Sequence, residues 1–269
     1  MGVPLGHADS HRPMTAPVIV APVRLLDSRR ALHWLVLGWR DLVRAPLPSL
    51  LHGLVFLIAG AAIARIGWGR HDLLAGAFSG FLLVAPMLSA GLYEVSRRLA
   101  RGERPLVRDV LAVWIRGGPC MVRLGVLLAL LGTLWVGLSM LIVSASMGEG
   151  GGGVGRFLRE FVLAPNPLPF TLWLAAGGVF AALVFSIAVV SVPMLLDREV
   201  NLRTAVLTSV RAVGENPSAM AWWAALVMLL TLVGLATVVG LIMLVPLLGH
   251  ATWHAYADTV DAAALPPRY

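Results

Sequence analysis

Apolar residues in this chain fall into long unbroken runs, separated by short stretches where arginine, proline and glycine concentrate. Four runs, 49–66, 73–93, 120–143 and 170–196, reach the ~18 apolar residues that mark a membrane-crossing helix. The last run, 218–256, would extend about 60 Å as one helix at ~1.5 Å per residue. That is about twice the hydrocarbon thickness, so it divides into two spans that meet between Gly234 and Gly240. The pattern predicts an all-α, polytopic membrane helical bundle of about six transmembrane helices.

Between the runs lie stretches of helical period with mixed faces. Asp27 and Ser28 can cap a helix with Ala31, Trp34, Leu35, Trp39 and Leu42 on one face, and Arg29, His33, Arg40 and Arg44 on another. A second helix presents Val107, Val110, Leu111, Trp114 and Ile115. A third presents Leu202, Ala205, Val206, Ser209, Val210 and Val213. Tryptophan or large aliphatics beside arginine suit helices lying in the membrane interface. Each is followed by a proline four residues past an apolar position: Leu42 to Pro46, Ile115 to Pro119, Val213 to Pro217. Two spans then follow, and the second carries Pro-Met-Leu or Pro-Leu-Leu at Pro86, Pro193 and Pro246. Three hairpins, each preceded by an interfacial helix, are therefore expected in one domain, 28–260, with units at about 28–95, 103–197 and 199–258. Residues 1–27 and 261–269 are read as tails, the first flexible. The stretch 148–156 (GEGGGGVGR) is read as a flexible connection, because no GK[ST] follows to make it a phosphate cradle.

Composition agrees with the pattern: 58% of the residues are hydrophobic and 13% are charged, about half the usual charged share of a soluble domain. All 21 basic residues are arginine. The chain's net charge is +7 and the arginines flank the spans, so the positive charge is read as an orientation signal and an attraction to anionic headgroups rather than to nucleic acid. Seventeen arginines fall on the side of the two ends and the interfacial helices, against four (Arg65, Arg70, Arg156 and Arg159) on the other. The positive-inside rule then places both termini in the cytoplasm of a bacterial cell, with the protein in the inner membrane. Arginine-only, Ala- and Gly-rich usage is consistent with a bacterial source. The N-terminal stretch has no apolar core of signal-peptide type. Cys120 is the single cysteine, which excludes an intrachain disulfide or a thiolate zinc site.

Little catalytic chemistry is legible. His250 and His254 stand four apart, on one helix face, and could ligate a metal or haem. Two imidazoles alone make an incomplete site, so interfacial or structural duty is favoured, with Trp253 and Tyr256 beside them forming an aromatic belt. Glu94 and Asp197 lie at span ends, where a solvated cap or an arginine partner is expected, and the span centres hold no carboxylate. That counts against an ion-coupled transporter. Gly76 and Gly80 form a small-xxx-small pair. The positions singled out are Pro86, Pro193, Pro246, Glu94, Asp197, His250, His254 and Tyr256, with no catalytic residue, no metal site and no cofactor assigned.

The segments LGWRDLVRAPLPSLLHG (37–53), GFLLVAPMLSAGLYEVSRRLARGE (80–103), SVPMLLDREVN (191–201), TSVRAVGENPSAM (208–220) and PLLGHATWHAY (246–256) resemble the bacterial integral membrane family labelled domain of unknown function 2189. The resemblance implies a multi-span inner-membrane protein and no particular activity. The expected function is non-enzymatic: binding or moving a small or lipidic molecule, with membrane lipids as partners. The alternative is an accessory or assembly subunit, associating with other membrane subunits or with itself. Haem or metal binding through His250 and His254 is the third reading.

Overall fold

The computed structural model describes residues 20–66, 71–147, 153–237, 239–263 and 265–268. The described residues form helices α1 (Arg30–Arg44), α2 (Pro46–Ile66), α3 (His71–Leu88), α4 (Ala90–Ala100), α5 (Val107–Arg116) and α6 (Gly118–Met147). The chain continues through α7 (Gly153–Phe157), a π-helical turn (Leu158–Val162), α8 (Leu168–Asp197), α9 (Leu202–Glu215), α10 (Pro217–Thr237) and α11 (Leu241–Thr259). Four of these, α2, α6, α8 and α10, are long and apolar enough to cross a membrane. The second half of α11 is more polar, because His250, Thr252, His254 and Asp258 interrupt its apolar run.

The helix boundaries follow local chemistry. Pro46 and Pro217 open α2 and α10, where a missing N–H costs nothing. The Asn201 side chain caps α9 by accepting from the Thr204 N–H at 2.7 Å. Asp109 reaches back to the Leu106 N–H at 2.8 Å at the start of α5. Asp27 accepts from the Arg29 N–H at 2.7 Å just ahead of α1. Gly118, at φ 71°, lets α5 turn directly into α6.

The repeated sequence pattern has a packing counterpart. Each amphipathic helix lies on the last helix of the unit before it: α5 on α4, α9 on α8, and α1 on α11, which closes the set into a ring. The long helices follow partly the same rule, with α6 on α3 and α2 on α11. The third such contact, α10 on α8, is at most slight among the described residues. Helices α4, α8 and α11 meet one another in the middle. The most apolar stretch of α8 is accordingly 56% buried, against 22% for the peripheral α10.

Close crossings depend on glycine. A Cβ on Gly53 of α2 would collide with the Ile242 carbonyl of α11. A Cβ on Gly76 would meet the Val136 carbonyl of α6 at 3.1 Å, and one on Gly80 the Val136 side chain at 2.7 Å. The small-xxx-small pair is thus a helix–helix contact, as that spacing permits.

Three expectations are corrected. Trp39 does not share a face with Ala31, Trp34 and Leu42; it is 46% exposed, on a stripe with Leu32, Val36 and Val43. In α9 the inward face is Thr204, Ala205, Thr208, Ser209 and Ala212, while Leu207 and Val210 point outward. Small side chains allow close approach, so the bulkier ones are left to the surroundings. Third, the end of the supposed flexible tail is docked: Ala21 is fully buried and Leu26 N–H donates to Asn216 Oδ1 at 2.7 Å. It pairs with the other end of the chain, Arg24 N–H donating to the Thr259 carbonyl (2.8 Å) and Asp261 N–H to that of Pro22 (2.9 Å). Residues 1–19 and 148–152 lie outside the described residues. Gly153–Phe157, expected within or beside the flexible connection, is helical.

Candidate functional site

The three repeated prolines behave differently. Pro193 and Pro246 sit inside continuous helices, whereas α3 ends two residues past Pro86 and the chain turns at Ser89 before α4. Near Pro86, His52 Nε2 donates to the Leu88 carbonyl at 2.9 Å, and Ser89 Oγ to that of Ala85 at 3.0 Å. Four residues past each proline stand Ala90, Asp197 and His250. Only the last two bring polar chemistry into the interior.

His250 is fully buried. Its Nε2 lies 2.9 Å from Ser49 Oγ on α2, and its Nδ1 lies 2.8 Å from Ser96 Oγ on α4. Both serines are fully buried as well. Ser49 Oγ also stands 2.6 Å from the Ala45 carbonyl, to which it donates. The imidazole thus fills the place where α2, α4 and α11 converge.

Asp41, on the inward face of α1, is 5% exposed. Its carboxylate lies 2.8 Å from Nε2 of His254, one turn beyond His250 on α11. Burial pushes the Asp41 carboxyl up, but the hydrogen bond from His254 and the nearby Ser96 hydroxyl outweigh it and hold the group below the usual carboxylate range. Asp41, Ser49, His52 and Ser96 were not singled out from the sequence. Asp41 had a signal: it falls seven residues after Trp34 and three after Gly38, on the same buried face.

The remaining candidates form two further networks. Glu94 accepts from Arg97 Nε and Arg98 Nε, both at 2.7 Å, and is 4% exposed. Arg98 also reaches Glu103 at 3.2 Å and Asp109 of α5 at 3.5 Å. The arginine partner expected for Glu94 is present, but inside the protein. Asp197 accepts from Tyr256 Oη at 3.0 Å and from Arg198 Nε at 2.9 Å. Arg268 donates its N–H to the Asp197 carbonyl at 3.0 Å and its Nη2 to the Gly117 carbonyl at 2.7 Å.

The aromatic belt is corrected: Trp253 is 5% and Tyr256 2% exposed, because α1, α8 and the chain ends surround the second half of α11. Nor do the two histidines converge on one point. Both nitrogens of His250 face serines, and His254 faces Asp41, so a metal at His250 would have to displace a serine.

An all-helical chain with several apolar helices of spanning length, and a girdle of amphipathic helices, is an integral membrane protein. The sequence model of a family described as predicted integral membrane protein (DUF2189) matches residues 73–197, from α3 to the end of α8. The match covers somewhat less than half of the 269 residues and stops short of the GHATWHAY segment. Neither the curated proteins nor the solved structures include a match to the chain.

Proposed function

We propose that the chain is a non-enzymatic, six-span membrane protein that binds a lipidic molecule, anionic phospholipid first of all, at its basic end. The spans are the hairpins α2/α3, α6/α8 and α10/α11. Both termini and the helices α1, α5 and α9 face the cytoplasm of a bacterial inner membrane. The observation carrying this reading is that each of those helices shows an apolar stripe beside arginine: Leu32, Val36, Trp39 and Val43 beside Arg40 and Arg44; Leu111 and Ile115 beside Arg108; Leu207 and Val210 beside Arg203. The apolar stripe enters the acyl boundary while the guanidiniums reach phosphate.

A second reading, an accessory subunit, draws on the outward small-residue stripe Ala129, Thr133 and Gly137 of α6, where a Cβ on Gly137 would meet nothing within 4 Å. Native mass spectrometry of the protein released from membranes in mild detergent tests both. Retained anionic phospholipid that is lost in Arg40→Ala/Arg44→Ala supports the first reading. A stoichiometric second polypeptide supports the other, and a bare chain overturns both.

A further inference from the structure

We propose that the segment following α11, described at 260–263 and 265–268, is a latch that ties the third repeat unit to the second, with the Arg268 guanidinium as its bolt. The latch opens as one piece, swinging about its pairing with residues 22–24.

It crosses the junction with the least packing of long helices. Helix α10 touches α8 at most slightly among the described residues, whereas α6 packs on α3 and α2 on α11. The chain leaves α11 at Thr259 and reaches back to the ends of α8 and α5, with Val260, Ala262 and Leu265 buried on the way.

The end of α8 explains the docking. The last carbonyls of a helix have no donor within it, and that end carries partial negative charge. One more turn of α8 would bring the Glu199 N–H to the Leu195 carbonyl, but this N–H donates to the Pro266 carbonyl at 2.9 Å instead. Arg268 supplies what is missing. Its Nη1 donates to the Leu195 carbonyl, and its backbone N–H to that of Asp197 at 3.0 Å. Its Nη2 donates to the Gly117 carbonyl, between α5 and α6, at 2.7 Å. The fixed fork of a guanidinium suits acceptors on two separate elements. Gly118 leaves the room, because a Cβ there would collide with Nη2. Pro266 and Pro267 have no N–H to give, so Arg268 carries every donor from 266 to 268.

The other end is anchored elsewhere. Arg24 N–H donates to the Thr259 carbonyl at 2.8 Å, Asp261 N–H to that of Pro22 at 2.9 Å, and the two side chains pair at 3.3 Å. Residues 20–26 are held in turn by α9, Ala21 N–H donating to Thr208 Oγ1 at 3.1 Å. Bolt and hinge therefore rest on different helices, and the first can let go while the second holds.

Amide hydrogen exchange resolved to single residues, on the full-length protein in phospholipid nanodiscs, tests the proposal. The amides of 199 and 268 report on the bolt, and those of Arg24 and Asp261 on the hinge. In the unmodified protein the two bolt amides should share one opening, with protection within about fivefold of each other and lower than that of the hinge amides. Arg268→Ala keeps every backbone bond of the latch, so these amides respond only if the guanidinium holds the piece shut. The expected result is exchange faster by about tenfold or more at both bolt amides, with the hinge amides and the Ala45 N–H between α1 and α2 little changed. Bolt amides that differ by more than about fivefold in the unmodified protein overturn the proposal. So does a smaller acceleration in Arg268→Ala, or an equal one at bolt, hinge and Ala45. Because the first comparison uses the unmodified protein, a misfolded variant cannot mask the outcome.

Discussion

Two junctions between repeat units can be compared directly. Where the third unit meets the first, α11 packs against α1 and α2, and the polar groups between them are Asp41, Ser49, His250 and His254. Where the first meets the second, α4 packs on α5, and the polar groups are Glu94, Arg98 and Asp109. The packing is the same; the chemistry is not. The repeat therefore explains the scaffold, while single residues placed once explain the site.

The largest expected effect breaks the first junction outright. Gly53→Val places a side chain against the Ile242 backbone and should cost ~4 kcal/mol or more, read as loss of folded protein by size-exclusion of the detergent extract. The outward Gly178→Val, where nothing lies within 4 Å, should stay within about 0.5 kcal/mol. Next, Glu94→Gln at the other junction should lower stability by about 3 kcal/mol in thermal unfolding, because buried Arg97 keeps its charge but loses its carboxylate. His250→Ala should cost about 2–4 kcal/mol, through a cavity and two serines deprived of their partner.

A pH series separates the junctions further. The folded-state affinity of Asp41 for protons is depressed, so the aspartate contributes stability that is fully present above the ordinary value of about 3.9 and is lost as pH falls through its lower folded value. The stability difference between wild type and Asp41→Asn should therefore shrink on acidification below that ordinary value. The smallest effect belongs to the half-exposed Arg30–Asp258 pair. Arg30→Gln should cost no more than about 1 kcal/mol in the same thermal assay.

Much of the scaffold was legible because lipid requires long apolar runs, and those survive in the sequence whatever the tertiary detail. The prolines Pro46, Pro119 and Pro217 marked the passage from amphipathic to long helix for the same local reason. His250 was legible as the one histidine at its offset from a repeated proline. Its partners were not: Ser49 and Ser96 lie 201 and 154 residues away in sequence, and serine is commonplace in membrane helices. The faces of α1 and α9 misled because, in a membrane protein, a large apolar side chain can face either the protein interior or the lipid. Gly38 and Ser209 decided which, by allowing the neighbouring backbone close: a Cβ on Gly38 would lie 2.8 Å from the Ala251 nitrogen, and Ser209 Oγ accepts from the Val190 N–H at 3.1 Å.

The claim on which the rest depends is that α3 and α11 cross the membrane along with the four more apolar helices. Single cysteines at Ser28, Arg104, Gly155 and Val239, introduced with Cys120→Ala and probed with a membrane-impermeant thiol reagent in oriented vesicles, test it directly. Six spans place Ser28 and Arg104 on one side and Gly155 and Val239 on the other. Four spans would instead put Gly155 and Val239 with Ser28, and Arg104 opposite, and that result would contradict the three-hairpin account.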